Sequence, residues 1–323
     1  KLFGLDFMLS LFFIAISSKL YYTQQEEKSF LSWMRTNSQI FTGDEYHLRF
    51  GIYLTNSRLV KTHNNSKSKF KVTLNKFACL TPTEYRSLLG FRYTNDKLSR
   101  PKFTSKPKST SIDWRIRGVV NPIKDQGQCG SCWAFSAIQT VESVDCISNG
   151  SLLSLSEQSL VDCCYACFSC SGGNPYLAIS YIVENQGGKF NLETDYPYTG
   201  VLGNCHFDEY KKYGSVSGYL SIAKGDEDDL AAKVENNGPT SVSIDASNWS
   251  FQLYEGGIFD DNKCHQDSIN HSIGCVGFGV EGDTKYWIIR NSWGTSWGEE
   301  GYMKMIWENN MCGIAQEAVV AIP

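Results

Sequence analysis

The chain of 323 residues has no apolar run long enough to cross a bilayer. A spanning helix needs about 20 such residues; the strongest stretch here, at 8–16, is too short. Stable membrane insertion is therefore not expected. With the small residues Ala15, Ser17 and Ser18 behind it, the stretch reads as a signal peptide over 1–17. Histidine is scarce as well, with only five in the chain. Three of these, His206, His265 and His271, follow residue 110, so few imidazoles are on offer there as a base. Acidic residues are few at the start: residues 1–110 carry 18 Lys+Arg against 7 Asp+Glu, a net of +11. Residues 111–323 carry 12 against 27, a net of −15, and the two parts sum to −4. The basic residues are dispersed among apolar ones, which argues against a nucleic-acid arm and for docking of one part on the other.

Cysteine is nearly missing from the first part and dense in the second. Of twelve, only Cys79 precedes residue 110. That bias points to disulfides and an oxidising compartment. The run Cys163-Cys164-x-x-Cys167-x-x-Cys170 has some look of a metal cluster. No Cys or His group at zinc-ligand spacing completes it, so extra or alternative disulfides are expected there, and neither metal nor cofactor.

The densest signal is Gln126-Gly-Gln-Cys-Gly-Ser-Cys-Trp-Ala-Phe-Ser136. Its glycines make a tight loop, and Ala134, Ala137, Ile138, Val141 and Val144 then recur at helical spacing. Cys132 thus falls at a helix N-terminus, where unpaired amides and the dipole favour thiolate over thiol. Residues 138–147 continue that helix and Asn149-Gly150 stops it. Ser154-x-x-Glu157, ahead of Leu160 and Val161, reads as a capping box for a second helix. After about Gly218 the pattern changes: 241–245 alternates, and 271–278, 286–290, 301–306 and 318–322 read as short strands. The fold class is α+β, a helical lobe at about 123–217 against a β lobe at about 218–317, with a cleft between them.

Cys-Gly-Ser-Cys-Trp with a preceding Gln is a local signature of papain-like enzymes, and it calls for a histidine and an asparagine far downstream. His271 lies 139 residues after Cys132 and Asn291 lies 159 after it. The chain resembles the papain-family cysteine proteases of the cathepsin L-like kind. The resemblance implies a two-lobe fold with an antiparallel β-barrel as the right lobe, preceded by a small helical inhibitory prodomain. It also implies an endopeptidase: the interval from Cys132 to His271 leaves no room for the occluding insertion of a cathepsin B-like carboxydipeptidase.

The N-terminal part fits the same family. Glu45, Arg49, Tyr53, Asn56, Val60 and Asn64 recur along one helical stripe, with Leu48, Phe50, Ile52 and Leu59 as apolar contacts beside it. The stripe resembles the interspersed ERFNIN-type motif of cathepsin L-like propeptides, with Tyr for Phe and Val for Ile. Such a propeptide, here 18–110, is an intramolecular inhibitor that runs through the cleft in the non-cleavable direction. A second motif aligns with Thr73, Asn75, Phe77 and Cys79, its usual Gly and Asp replaced. Residues 98–111 have linker composition, so the mature enzyme, 111–323, is expected to begin close to 109–112. Acid is expected to loosen the inhibitor by weakening the attraction of the +11 and −15 parts.

The resemblance assigns roles. Cys132 is the nucleophile, His271 its base, Asn291 the partner that orients the ring, and Gln126 an oxyanion donor, while Trp293 shields the His–Asn bond. Gly173, Asn174, Pro175, Tyr176, Ser243, Ile269, Asn270, Ser272 and Glu317 fall at substrate-binding positions. Glu317 aligns with an acidic pocket-floor position, which implies acceptance of hydrophobic and also basic residues at the second position before the cut. The implied disulfides are Cys129–Cys170, Cys163–Cys205 and Cys264–Cys312. Cys79, Cys146 and Cys275 read as buried thiols. Partners are peptide and protein substrates and cystatin-type inhibitors, and a monomer is expected. Asn149 and Asn248 are candidate glycan acceptors; the sequon at Asn270 is expected to stay unmodified and that at Asn64 to leave with the propeptide. A catalytically silent binding protein and an acyl-transferring relative are the alternatives.

Overall fold

The computed structural model describes residues 21–94 and 104–323. The leader at 1–17 and the first part of the 98–111 linker lie outside the described residues.

The N-terminal domain begins with α1 (Gln24–Thr36), opened by a reciprocal capping box of Thr23 and Glu26, and α2 (Gly43–Asn64). Their contact is aromatic: Phe30 sits 5.2 Å from both Phe50 and Tyr53. Leu48 and Leu59, read as apolar contacts, are instead exposed, because burial falls on Phe50, Tyr53 and Leu54. The polar stripe of α2 holds the chain that follows it. Asn56 donates to Ala78 O at 2.8 Å, Arg49 donates to Cys79 O at 2.9 Å, and Asn64 takes both the amide and the carbonyl of Val72. Val72 belongs to β1 (Phe70–Val72), and α3 (Pro82–Ser87) follows behind a second capping box, Thr81 with Glu84.

The remaining elements are β2 (Ile112–Asp113), α4 (Cys132–Asn149), α5 (Glu157–Cys163), α6 (Pro175–Asn185), β3 (Gly218–Ser221), α7 (Glu227–Asn237), β4 (Thr240–Ile244), α8 (Trp249–Gln252), β5 (Tyr254–Phe259), β6 (His271–Glu281), β7 (Thr284–Arg290), β8 (Tyr302–Ile306) and β9 (Glu317–Ile322). The sheet runs β1-β5-β8-β7-β6-β4-β9-β3, with β2 paired to β6. Two features add to the expected antiparallel barrel and small helical prodomain. β5 and β8 pair in parallel, and β1 of the N-terminal domain adds itself antiparallel to β5. Backbone pairing thus welds the domain to the enzyme.

Burial follows the same division. One apolar cluster joins Trp133, Val141 and Ile138 of α4 to Ile179 and Ile182 of α6, and closes on Val319, Val320 and Ala321 of β9. The other runs from Phe30, Tyr53 and Phe77 without a break into Ile244, Ile273, Trp287 and Met303 of the β lobe. β4 is buried at all five positions rather than at alternate ones, since α4 and α7 both pack on it.

The capping box expected at Ser154-x-x-Glu157 is misplaced. Ser156, not Ser154, caps α5, accepting from Ser159 N at 3.0 Å. Glu157 is drawn inward to Lys124, whose Nζ lies 2.7 Å from its carboxylate. Disulfides join Cys129 to Cys170, Cys163 to Cys205 and Cys264 to Cys312. Cys79, Cys146, Cys164, Cys167 and Cys275 are buried thiols, as is Cys132.

Candidate active site

Cys132 is the first residue of α4, and His271 the first of β6, so the two begin elements of different lobes. The Ser272 amide donates to Cys132 Sγ at 3.5 Å, which sets the sulfur beside the start of β6. His271 Nε2 lies 3.0 Å from Asn291 Oδ1. That oxygen also accepts from Ser292 N at 2.8 Å, so it acts as a carbonyl acceptor and Nε2 carries the proton. Nδ1 then bears the lone pair; it is buried and has no hydrogen-bond partner. Trp293, itself buried, stacks on the ring at 4.7 Å.

Gln126 is held from behind. Its Oε1 accepts from Ser292 Oγ at 2.7 Å and its backbone carbonyl from Tyr198 Oη at 2.8 Å. Ser292 and Tyr198 were not singled out in the sequence; a hydroxyl that acts through another side chain leaves no spacing signal. Gln126 Nε2 donates to Cys129 O at 2.9 Å.

The segment 88–93 of the N-terminal domain occupies the cleft. Leu88 O accepts from Gln126 Nε2 at 2.9 Å, and Gly90 N donates to Cys132 Sγ at 3.2 Å. Gly173 N donates to Gly90 O at 2.8 Å, Arg92 N to Gly173 O at 2.7 Å, and the local pairing of Phe91 with Gly173 is parallel. The sulfur is thus offered an amide hydrogen. Gly90 is required by close approach, because a Cβ there would stand 1.8 Å from Gly130 O. Ahead of the segment, Phe77 and Tyr85 rest edge-on against Trp293 at 5.1 and 5.9 Å.

Phe91 fills a pocket lined by Asn174, Pro175, Tyr176, Ser243 and Glu317, leaving about 10 Å³ beside it. Ser221, Ser241, Ala318 and Val319 line it too and were missed, since strand pairing brings them there from distant sequence. Ile269 and Ser272 do not line it. Asn270 meets the segment through its carbonyl, which accepts from Phe91 N at 2.9 Å, while its side chain is bound to Asp245, Ser268 and Ala246.

Burial sets the charge state. Under the segment Cys132 and His271 have no exposed surface. The thiol is pushed up to about 11 and the imidazole down to about 4, in both cases chiefly by loss of water around the charged form. Between those limits both groups are neutral. Among the described residues no group of His, Cys, Asp and Glu is arranged to hold a metal ion.

The papain family cysteine protease model matches residues 108–322, and the cathepsin propeptide inhibitor domain model matches 30–85. The chain belongs to the papain family of cysteine proteases. It is similar to cysteine proteinase 3 of Entamoeba histolytica, 40% identical over 297 residues, which covers 90% of this chain and 92% of the relative. Digestive cysteine proteinase 2 of Homarus americanus is 40% identical over 265 residues, 80% of this chain and 81% of the relative. Among solved structures, digestive procathepsin L 3 of Tenebrio molitor superposes with a TM-score of 0.84 at 33% identity, covering 93% of this chain and 100% of that one. The protein is a cathepsin L-like cysteine endopeptidase that carries its own propeptide inhibitor.

Proposed function

We propose that Cys132 and His271 form the catalytic pair, with Asn291 orienting the imidazole and Gln126 together with the Cys132 amide stabilising the oxyanion. The observation that supports this most is the blocking segment itself, which touches the sulfur through Gly90 N and the Gln126 amide through Leu88 O. Removing the segment readmits water, and thiolate and imidazolium then stabilise each other. The thiolate attacks the scissile carbonyl, His271 protonates the leaving amine, and water, deprotonated by His271, releases the acyl group from sulfur. Each oxyanion donor contributes about 3 kcal/mol.

The pocket that holds Phe91 takes the second residue before the cut. Its apolar and small walls suit Leu, Val or Phe, and the half-buried Glu317 extends the range to Arg or Lys. The propeptide ends near 109–112, just ahead of β2, with the left lobe at about 123–217 and the right at about 218–317. The enzyme works as a monomer in the secretory route, in a lysosome-like compartment or outside the cell, open to cystatin-type inhibitors. Its three disulfides fit an oxidising origin. Asn149, exposed at the end of α4, is the best glycan acceptor.

The test is hydrolysis by the acid-processed, reduced protein at about pH 5.5 of reporter peptides ending Phe-Arg and Arg-Arg, with and without an epoxysuccinyl thiol inhibitor. Inhibitor-sensitive cleavage of both supports the whole reading. Cleavage of Phe-Arg alone keeps the site and removes the role of Glu317, and no turnover from a fully processed, reduced chain removes the catalytic assignment.

A further inference from the structure

Residues 163–170 hold four cysteines. Cys163 and Cys170 are already spent on disulfides to Cys205 and Cys129. Cys164 and Cys167 take no part in the chemistry above. Both are buried, and their sulfurs stand 2.8 Å apart. Unbonded sulfur atoms rest well beyond that separation, and a covalent S–S bond needs about 2.04 Å. A sub-ångström movement of two side chains therefore closes the gap. The backbone is already turned for it: Cys164 caps the C-terminus of α5, and Cys167 N donates to Cys164 O at 2.9 Å. We propose that Cys164 and Cys167 are joined as a fourth disulfide when the proenzyme folds in an oxidising compartment. The proposal is independent of the catalytic assignment.

The bond forms by exchange with a small-molecule disulfide of the glutathione class. One cysteine thiolate attacks it, making a mixed disulfide and releasing one thiol, and the second cysteine displaces the other. The pair loses two electrons and two protons, and the oxidant leaves as two thiols. In the folded chain burial pushes the Cys167 thiol far above its usual range, and the Asn174 amide is bonded to its sulfur. Little thiolate is available there, so the bond belongs to folding rather than to redox cycling. Its effect is local. It pins the start of the segment that carries the Gly173–Asn174 edge of the cleft, already held where Trp133 Nε1 donates to Ser169 O at 3.1 Å. It also removes a thiol adjacent to the Cys163–Cys205 bond, one placed to attack that bond while the chain is still open during folding.

Counting thiols tests this. Proenzyme folded with glutathione disulfide is unfolded in guanidinium with N-ethylmaleimide and no reductant, and its intact mass is read. Three disulfides leave 12 − 6 = 6 reactive thiols, whereas four leave 12 − 8 = 4. Four adducts are expected, and six overturn the proposal. Cys164→Ala fixes the identity of the pair: with the bond, the count rises by one as Cys167 is released. A fall by one, from any starting count, overturns it. Should that variant not fold, the wild-type peptide spanning 164–167 decides. Two hydrogens missing from its mass and no adduct support the bond; two adducts contradict it.

Discussion

Gly90 of the N-terminal domain and Cys132 of the enzyme meet at 3.2 Å through an amide hydrogen pointed at sulfur. A substrate must present a carbonyl carbon to that atom, so the contact occupies the nucleophile without offering it a bond to break. Replacing Gly90 by Ala would place a Cβ against Gly130 O, which is backbone and cannot swing aside. Gly90→Ala is expected to lift the segment and weaken inhibition by the isolated propeptide at least about 10-fold, worth about 1.4 kcal/mol. Titration of the mature enzyme with wild-type and variant propeptide measures it, and equal inhibition constants would refute the close-approach argument.

Gln126 is bound to Leu88 O in the proenzyme and is assigned the oxyanion in the mature form. Gln126→Ala is therefore expected to lower kcat about 100- to 1,000-fold with little change in KM. Steady-state kinetics on one peptide series separates this from a binding defect, which would raise KM and leave kcat alone.

Glu317 lines the pocket that Phe91 fills. In Glu317→Ala the preference for Arg over Phe at the second residue before the cut should fall about 10-fold or more, through loss of turnover on the Arg peptide alone. An unchanged ratio of kcat/KM values on the paired peptides would show that the carboxylate does not reach the substrate.

Lys124 is the cation nearest to three carboxylates, Glu157 at 2.7 Å, Glu142 at 3.6 Å and Glu193 at 3.8 Å. Burial, first of all, raises the Glu157 carboxyl, with Glu142 and Glu193 adding to the shift and Lys124 opposing it. The folded form thus holds a proton that the unfolded form has lost above its ordinary value near 4.5, so stability declines as pH rises from there. Denaturant midpoints of the mature enzyme should be higher at about pH 5 than at about pH 8. Lys124→Ala should cost about 3–5 kcal/mol at neutral pH and less in acid; equal losses at both pH values would contradict the account.

Much of the site is legible in the chain because its members are tied to local structure. Cys132 stands out since a glycine loop runs into a helix there, and Arg49, Asn56 and Asn64 since helical spacing aligns them. What sequence hides is set by partners far along the chain. β1 finds its mate about 180 residues later in β5, and nothing in Phe70-Lys-Val72 announces it. Glu157 has the look of a capping-box residue, but the attraction of the half-buried Lys124 outweighs a local hydrogen bond. Gly90 is one glycine among 28, and only the distance to Gly130 gives it a role. The exposed Leu48 and Leu59 show the limit of periodicity, which finds the stripe but not the neighbour that covers it.

The central claim is that the propeptide keeps the enzyme latent by holding Cys132 and His271 neutral. His271 is lowered to about 4 in the closed form from an ordinary value near 6.5. Opening the cleft moves the Cys132 proton onto His271, so the pair holds one proton in either form from mildly acid to neutral pH and does not by itself make docking depend on pH there. Cys132, raised to about 11 in the closed form, becomes a thiolate once the open form lets the imidazolium stand charged beside it. The direct measurement is the rate of Cys132 alkylation by iodoacetamide against pH, in intact proenzyme and after processing. The account predicts a slow reaction in the proenzyme that rises only toward alkaline pH, and in the processed enzyme a fast plateau from mildly acid to neutral pH that is lost in His271→Ala. The same fast plateau in the intact proenzyme would contradict it.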